Sequence, residues 1–304
     1  MKIIVINPKS DFSDNQILTL ESVGQITWIE GNDYQSNPIF VSSDDKIVVV
    51  GPELVNWEFP NEFIDKIANL KAICLPTTDY SWVDGAYLRE KGILLTNVAK
   101  YSTESVAEYA ISMMFNVVKK LPLIVKNNWK LDYDKHQGWE VKGKTMGIVG
   151  LGAIGTRIAE IGKSIGMNVV YWSKNTRNEN FEFKELDDLL QSSDYIFPTL
   201  AKNSETKNII NQERINLIKK GASIISITGD KLFDLDFALS KIKDGGLSGI
   251  AIESEEKTIN DFEGNVWVTP PIAWFTQEAS SEDTRIWVEN VLAVANGRAQ
   301  NVVN

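Results

Sequence analysis

The sequence predicts an α/β protein built on doubly wound parallel sheets, and two observations carry that expectation. Short apolar runs of strand length alternate with helix-like or turn segments, and a glycine-rich turn joins one such run to a helical stretch. Alternation of this kind sets parallel strands side by side with helices on both faces. The early runs are KIIVIN (2–7), QITWIE (25–30), KIVVVG (46–51), KAICLP (71–76) and GILLTNV (92–98). One long helix is expected over 103–121, with Thr103 as N-cap and Lys119 and Lys120 complementing its C-terminal dipole. Its apolar residues cover more than one stripe, which predicts burial on two sides, a second subunit being one candidate cover. A polar loop (126–140) leads into later strands at 145–149, MNVVYWS (167–173), DYIFPTL (194–200), ASIISIT (222–228), GIAI (249–252) and NVWVTP (265–270). A closing helix is expected at about 277–297.

The glycine-rich turn is TMGIVGLGAIG (145–155), in which Gly150, Gly152 and Gly155 stand at GxGxxG spacing between a buried-type strand and the helix that follows. The first glycine permits the tight turn, the second lets backbone approach a pyrophosphate, and the third lets helix and strand pack closely. The N–H groups at the helix start, around Ala153 and Ile154, then face the phosphates. A nicotinamide dinucleotide is the predicted ligand. The residue reading the adenosine ribose falls ~20 residues on, at the end of the next strand. There the chain carries Ser173, Lys174 and Arg177 and no acid. A hydroxyl and two cations suit a 2′-phosphate, so NADP is favoured over NAD. The bland alternative is a solvated polar loop that tolerates either cofactor.

Length and composition narrow the class. At 304 residues the chain exceeds one ordinary core and suggests two domains. It holds no apolar run near 18 residues, and MKIIVINPKS is too short an apolar start for a secretory signal. Cys74 is the only cysteine, which excludes an internal disulfide and points to the reducing cytoplasm. With 31 Lys and Arg against 41 Asp and Glu, the formal charge of −10 disfavours nucleic acid or an anionic membrane as partner and leaves a small molecule. No metal site is expected.

The blocks GILLTNVAKYSTESVAEYA (92–110), GKTMGIVGLGAIG (143–155), SIISITGDKLFD (223–234), GIAIESEE (249–256) and NVWVTPPIAWFTQEA (265–279) occur in an order that resembles the D-2-hydroxyacid dehydrogenase family over nearly the whole chain. The resemblance implies a Rossmann cofactor domain, 99–274, inserted into a flavodoxin-like catalytic domain formed by 1–98 and 275–304. It also implies a homodimer with much of its contact through helix 103–120.

The family's chemistry rests on an arginine, a glutamate and a histidine. The arginine's pattern, T-A-R-G-G-L-V-D, aligns on Leu232-Phe233-Asp234 and puts Gly229 in its place. The histidine of T-P-H-I-A-G is replaced by Pro271, and the glutamate's position falls on Thr258. No replacement carries an ionisable group. General acid catalysis contributes typically ~10²–10⁴-fold, so the loss is large. His136, the only histidine, lies in the polar loop and is expected at the surface or an interface. On the cofactor side, Thr103, Leu200, Thr206 and Thr228 match positions near the nucleotide, and Glu253 stands where the family's aspartate receives the nicotinamide amide.

Trp274 and Phe275 replace small residues beside the nicotinamide position, and Trp82 lies in the loop used to cradle a substrate carboxylate. These rings either wall a site for a larger, less anionic substrate or pack together and plug an abandoned one. Lys100, Tyr101 and Lys231 are the nearest candidate proton donors or cations. Three functions therefore compete. The first is a reductase acting on a non-standard carbonyl or imine, the second a catalytically silent dinucleotide binder with a sensor or partner role. The third is a weak 2-hydroxyacid dehydrogenase.

Overall fold

Five parallel strands form the first sheet: β1 (Lys2–Ile6), β2 (Gln25–Ile29), β3 (Lys46–Val50), β4 (Leu70–Cys74) and β5 (Leu94–Thr96), in the order β2-β1-β3-β4-β5. Three helices, α1 (Asp14–Glu21), α2 (Asn61–Ile64) and α3 (Gly85–Glu90), connect them, and a C-terminal helix spans Gln277–Ala295. The computed structural model describes all 304 residues and places this sheet in one of two compact units, Met1–Ser102 with Thr276–Asn304. Alternate residues of each strand face opposite sides, so β1 sends Ile4 and Ile6 into a core with Phe40, Phe59 and Phe63. Ile3 and Val5 enter a second core with Trp287 and Val291 of the C-terminal helix. Burial on both faces explains why these strands read as unbroken apolar runs. Each fully buried Ile or Val contributes roughly 1.5–3 kcal/mol. Trp287 also donates its indole N–H to the Cys74 carbonyl at 2.9 Å, locking the C-terminal helix to β4.

The second unit, Thr103–Phe275, holds α4 (Thr103–Val118), α5 (Leu121–Lys126), β6 (Thr145–Val149), α6 (Ala153–Ser164), β7 (Asn168–Trp172), β8 (Glu182–Phe183) and α7 (Leu186–Ser192). It continues through β9 (Tyr195–Pro198), α8 (Gln212–Leu217), β10 (Ala222–Ser226), α9 (Leu235–Lys243), β11 (Leu247–Glu253) and β12 (Val266–Thr269). All seven strands are parallel, in the order β12-β11-β10-β9-β6-β7-β8. The chain switches direction across the sheet between β6 and β9, which is where a doubly wound sheet opens a crevice at the carboxyl ends of its strands. Ile148, Phe197, Ile225 and Ala251 face α4 and α6, whereas Val149, Ile196, Ile224 and Ile250 face the opposite layer.

Two expectations fail within this unit. The long helix stops at Val118; Lys120 adopts φ 54° and Pro122 opens α5, because proline cannot continue a helix from within. Lys119 and Lys120 therefore lie beyond the helix and donate to the carbonyls of Trp139 and Lys135. His136 is buried, with 8% exposed. Its Nδ1 accepts the Asp132 N–H at 3.1 Å while its own N–H donates to the Asp132 carbonyl, so it staples its loop.

One acid in the first unit has no sequence precedent. Asp283, on the C-terminal helix, holds a buried Oδ1 with no hydrogen-bond partner. Burial pushes its pKa up to about 7, reinforced by the charge of Glu53. The folded state therefore keeps a proton on Asp283 that the unfolded chain releases near pH 4, and the contribution of this group to stability falls as pH rises from about 4 to about 7. Asp283→Asn should abolish that slope. In urea unfolding, the variant's advantage at pH 8 should exceed that at pH 5 by on the order of 2 kcal/mol. An equal difference at both pH values would show that Asp283 titrates normally.

Candidate dinucleotide site and the adjoining cleft

The glycines at the β6–α6 junction are each required by a different contact. Gly150 has φ 110° and its N–H donates to the Trp172 carbonyl at 2.8 Å; a side chain there would strike Leu200. A Cβ on Gly155 would lie 2.1 Å from the Gly150 carbonyl oxygen and 2.7 Å from Thr199 Oγ1. Around Gly152 the space is open, and this residue caps α6 with no side-chain hydrogen bond. Gly152 and Ala153 are exposed. With no side chain bonded to its first N–H groups, the 12-residue helix presents them to this open space, and the arrangement fits a pyrophosphate.

At the end of β7, next to β6 in the sheet, Ser173 is buried and its Oγ accepts the Thr176 N–H. Arg177 donates to the carbonyls of Ser173 and Thr176 and stacks 4.1 Å from the Phe183 ring centroid. Lys174 reaches Glu205 Oε2 at 2.8 Å, both side chains being exposed. The three ribose-end residues are thus brought together, with Glu205 as a competitor for Lys174 that the sequence did not reveal. Thr206 donates to the Ala201 carbonyl, and Thr228 shares a hydrogen bond with Ser226.

Beyond the carboxyl ends of β10 and β11 lies a cleft of about 600 Å³ lined by Thr228, Gly229, Lys231, Glu253 and Pro271 among others. Gly229 has φ 66°, and a Cβ there would sit 3.2 Å from the Glu253 carbonyl oxygen. Glu253 Oε1 accepts the N–H groups of Ile272 and Ala273 at 2.8 and 2.9 Å, pinning the loop that follows Pro271. Burial raises its pKa, opposed by those two N–H donors and by Lys202. Thr258 does not line the cleft; its N–H and hydroxyl donate to Asp261 Oδ2 and cap a short 3-10 turn.

The remaining candidates are placed as follows. Trp274 and Phe275 form an edge-to-face pair 5.1 Å apart but are 41% and 67% exposed, so they do not plug a buried pocket. Trp82 is half-buried in the first unit, packed edge-on to Trp57 with its N–H on the Asp79 carbonyl. Tyr101 is pushed up to about 12 by burial, then by the carboxylates of Asp283 and Glu53, so its phenol is a weaker acid than a free tyrosine. Lys231 is exposed and pairs with Asp230 at 3.5 Å. Lys100 is exposed at φ 66°.

Comparisons with known proteins agree with this geometry. Residues 110–273 match the family described as D-isomer specific 2-hydroxyacid dehydrogenase, NAD binding domain. A hydroxypyruvate reductase from Blautia hydrogenotrophica is 31% identical over 264 residues, 81% of this chain and 82% of that protein. A glyoxylate reductase from Pyrococcus horikoshii is 30% identical over 263 residues, 80% of this chain and 79% of its own length. Among solved structures, an acyclic imino acid reductase in complex with NADPH and D-Arg superposes with a TM-score of 0.82 at 24% identity, over 100% of both chains. No helix here is long and apolar enough to cross a membrane. With its seven-stranded Rossmann sheet, its glycine turn and these relatives, the chain belongs to the D-isomer-specific 2-hydroxyacid dehydrogenase family of NAD(P)-binding oxidoreductases.

Proposed function

We propose that this protein is a nicotinamide-dependent reductase whose substrate is a carbonyl or imine compound larger or less anionic than a simple 2-keto acid. The observation that supports it is a pairing within one unit. The glycine cradle fits a dinucleotide, while the adjoining cleft has neither arginine nor histidine on its walls. Bound in that cradle, the cofactor supplies a hydride to a substrate carbon. Gly150, Gly152, Ala153, Ile154 and Gly155 hold the pyrophosphate, Ser173, Lys174 and Arg177 the ribose phosphate of NADP. Thr103, Leu200, Thr206 and Thr228 flank the nucleotide, and Glu253 receives the nicotinamide amide through the oxygen that the 272–273 loop leaves free. The fold also serves the glyoxylate, hydroxypyruvate and imino acid reductases described above, so a new substrate class needs no new architecture. A catalytically silent dinucleotide binder is the second reading, favoured by the absence of any titratable group at Gly229, Thr258 and Pro271.

A cytoplasmic homodimer through α4 is part of the same proposal. Phe115 on α4 and Trp129, Leu131, Tyr133 and Trp139 after it are exposed, with Tyr133 at 85%. Exposed rings at this density along one segment are the kind of apolar surface that a second subunit covers. Sedimentation should give a dimer for the wild type and a monomer for Trp129→Glu combined with Tyr133→Glu. A wild-type monomer at micromolar concentration contradicts the proposal.

Titrating the fluorescence of the nine tryptophans with each cofactor should show NADPH binding more tightly than NADH. Lys174→Asp should cut NADPH affinity roughly tenfold or more by turning a phosphate donor into a repelling charge. Equal affinities in the wild type would remove the phosphate-site assignment.

Turnover of pyruvate, glyoxylate and hydroxypyruvate should stay below about 1 s⁻¹ with either reduced cofactor, for want of a carboxylate clamp and a proton donor. Gly229→Arg should not restore it. At φ 66° a side chain costs about 1–2 kcal/mol and meets the Glu253 backbone, a loss that chemical denaturation reads directly. Rapid 2-keto acid reduction by the wild type would show that another residue does the arginine's work.

A further inference from the structure

The walls of the cleft beside Gly229 are predominantly acidic. They carry the carboxylates of Asp230, Asp236, Glu253, Glu255 and Glu256 against the amines of Lys202, Lys231 and Lys257, and Lys231 is already paired with Asp230. Glu253 is the enclosed member. One oxygen is held by two backbone N–H groups and the other accepts no hydrogen bond from the protein. A cleft of this net charge disfavours the carboxylate of a 2-hydroxy acid, and neither arginine nor histidine lines it to hold an oxyanion.

We propose that the substrate is a cation, an iminium with its C=N bond protonated on nitrogen, and that the rim carboxylates of Asp236, Glu255 and Glu256 select it. The proposal rests on the reductase reading. Reduction of a ketone develops negative charge on oxygen and requires a proton, which is the work of a nearby cation and a general acid. An iminium arrives with the proton in place. Its carbon takes the hydride from the reduced nicotinamide dinucleotide, the π pair of the C=N bond moves to nitrogen, and the N–H proton stays where it was. The products are a neutral amine and the oxidised cofactor, and the amine then takes one proton from water. No oxyanion forms, so an arginine has nothing to hold and a histidine nothing to give. A carboxylate is the group that stabilises the incoming charge. One change of substrate class thus accounts for Gly229, Thr258 and Pro271 together.

The test compares matched rings on the whole protein. With NADPH present, 1-pyrroline and 3,4-dihydroisoquinoline should be reduced at least tenfold faster than the ketones cyclopentanone and 1-tetralone, in keeping with loss of the acid's contribution on the ketone side. Calorimetry on the NADP-saturated protein should show the ammonium ion of pyrrolidine binding and lactate not binding. Glu255→Gln combined with Glu256→Gln should weaken pyrrolidine roughly tenfold and flatten its salt dependence, leaving cofactor affinity unchanged. Lactate bound in preference to pyrrolidine, or ketones reduced as fast as imines, or no imine turned over by protein that binds NADPH, would each overturn the iminium assignment and leave the reductase reading standing. Failure to bind either reduced cofactor would instead remove the reductase reading itself.

Discussion

The close approach of α6 to β6 is the constraint on which the second unit depends. Gly155 lies so near the Gly150 carbonyl that any side chain would force helix and strand apart. Displacing α6 would then disturb its packing on α4 and the burial of Ile158 and Ala159 against Ile148. Because β6 is the strand from which the sheet builds in both directions, its register also sets β7 and β9. The helix N-terminus, the Ser173 loop beyond β7 and the cleft beyond β10 and β11 inherit their positions from that one contact. A phosphate-binding turn is therefore also the mechanical centre of its sheet.

Much of this was legible because parallel strands covered on both faces have to be apolar at nearly every position. KIIVI, KIVVV and ASIIS announce themselves, and observed strand ends depart from the apolar runs by one or two residues. The two-residue β8 carries too little pattern to be seen. The helix over 103–118 was overextended because Lys119 and Lys120 resemble a helical last turn, although Pro122 held the contrary signal.

Long-range electrostatics were the least legible part of the candidate site. Glu205 lies 31 residues from Lys174, and no local rule pairs them. Asp283 sits in SSEDTR, which reads as a solvated helix face, yet the fold encloses it beside Glu53 with one oxygen unpartnered. His136 reads as a surface residue because its neighbours are polar, whereas its ring closes a loop onto the Asp132 N–H. The size of Trp274 and Phe275 leaves open whether they wall a site or plug one, and only their exposure in the fold separates a ring on the surface from one in a core.

The loop after Pro271 shows how such a cleft keeps its shape without the residues its relatives' pattern would supply. Proline has no N–H to give, so the first donors of that loop are Ile272 and Ala273, and both go to Glu253. The carboxylate thereby becomes the tie that holds the loop against the end of β11, and the left-handed turn at Gly229 lies against the same residue's backbone. Burial opposes ionisation of Glu253, while two amide donors and Lys202 favour it. Removing the acid would free the Ala273 N–H, leave the Ile272 N–H only the Pro270 carbonyl and loosen the loop, so its negative charge and the geometry of the cleft are not separable. A ligand that brings positive charge relieves the burial penalty on Glu253 and leaves the tie in place. A ligand that brings negative charge must work against both.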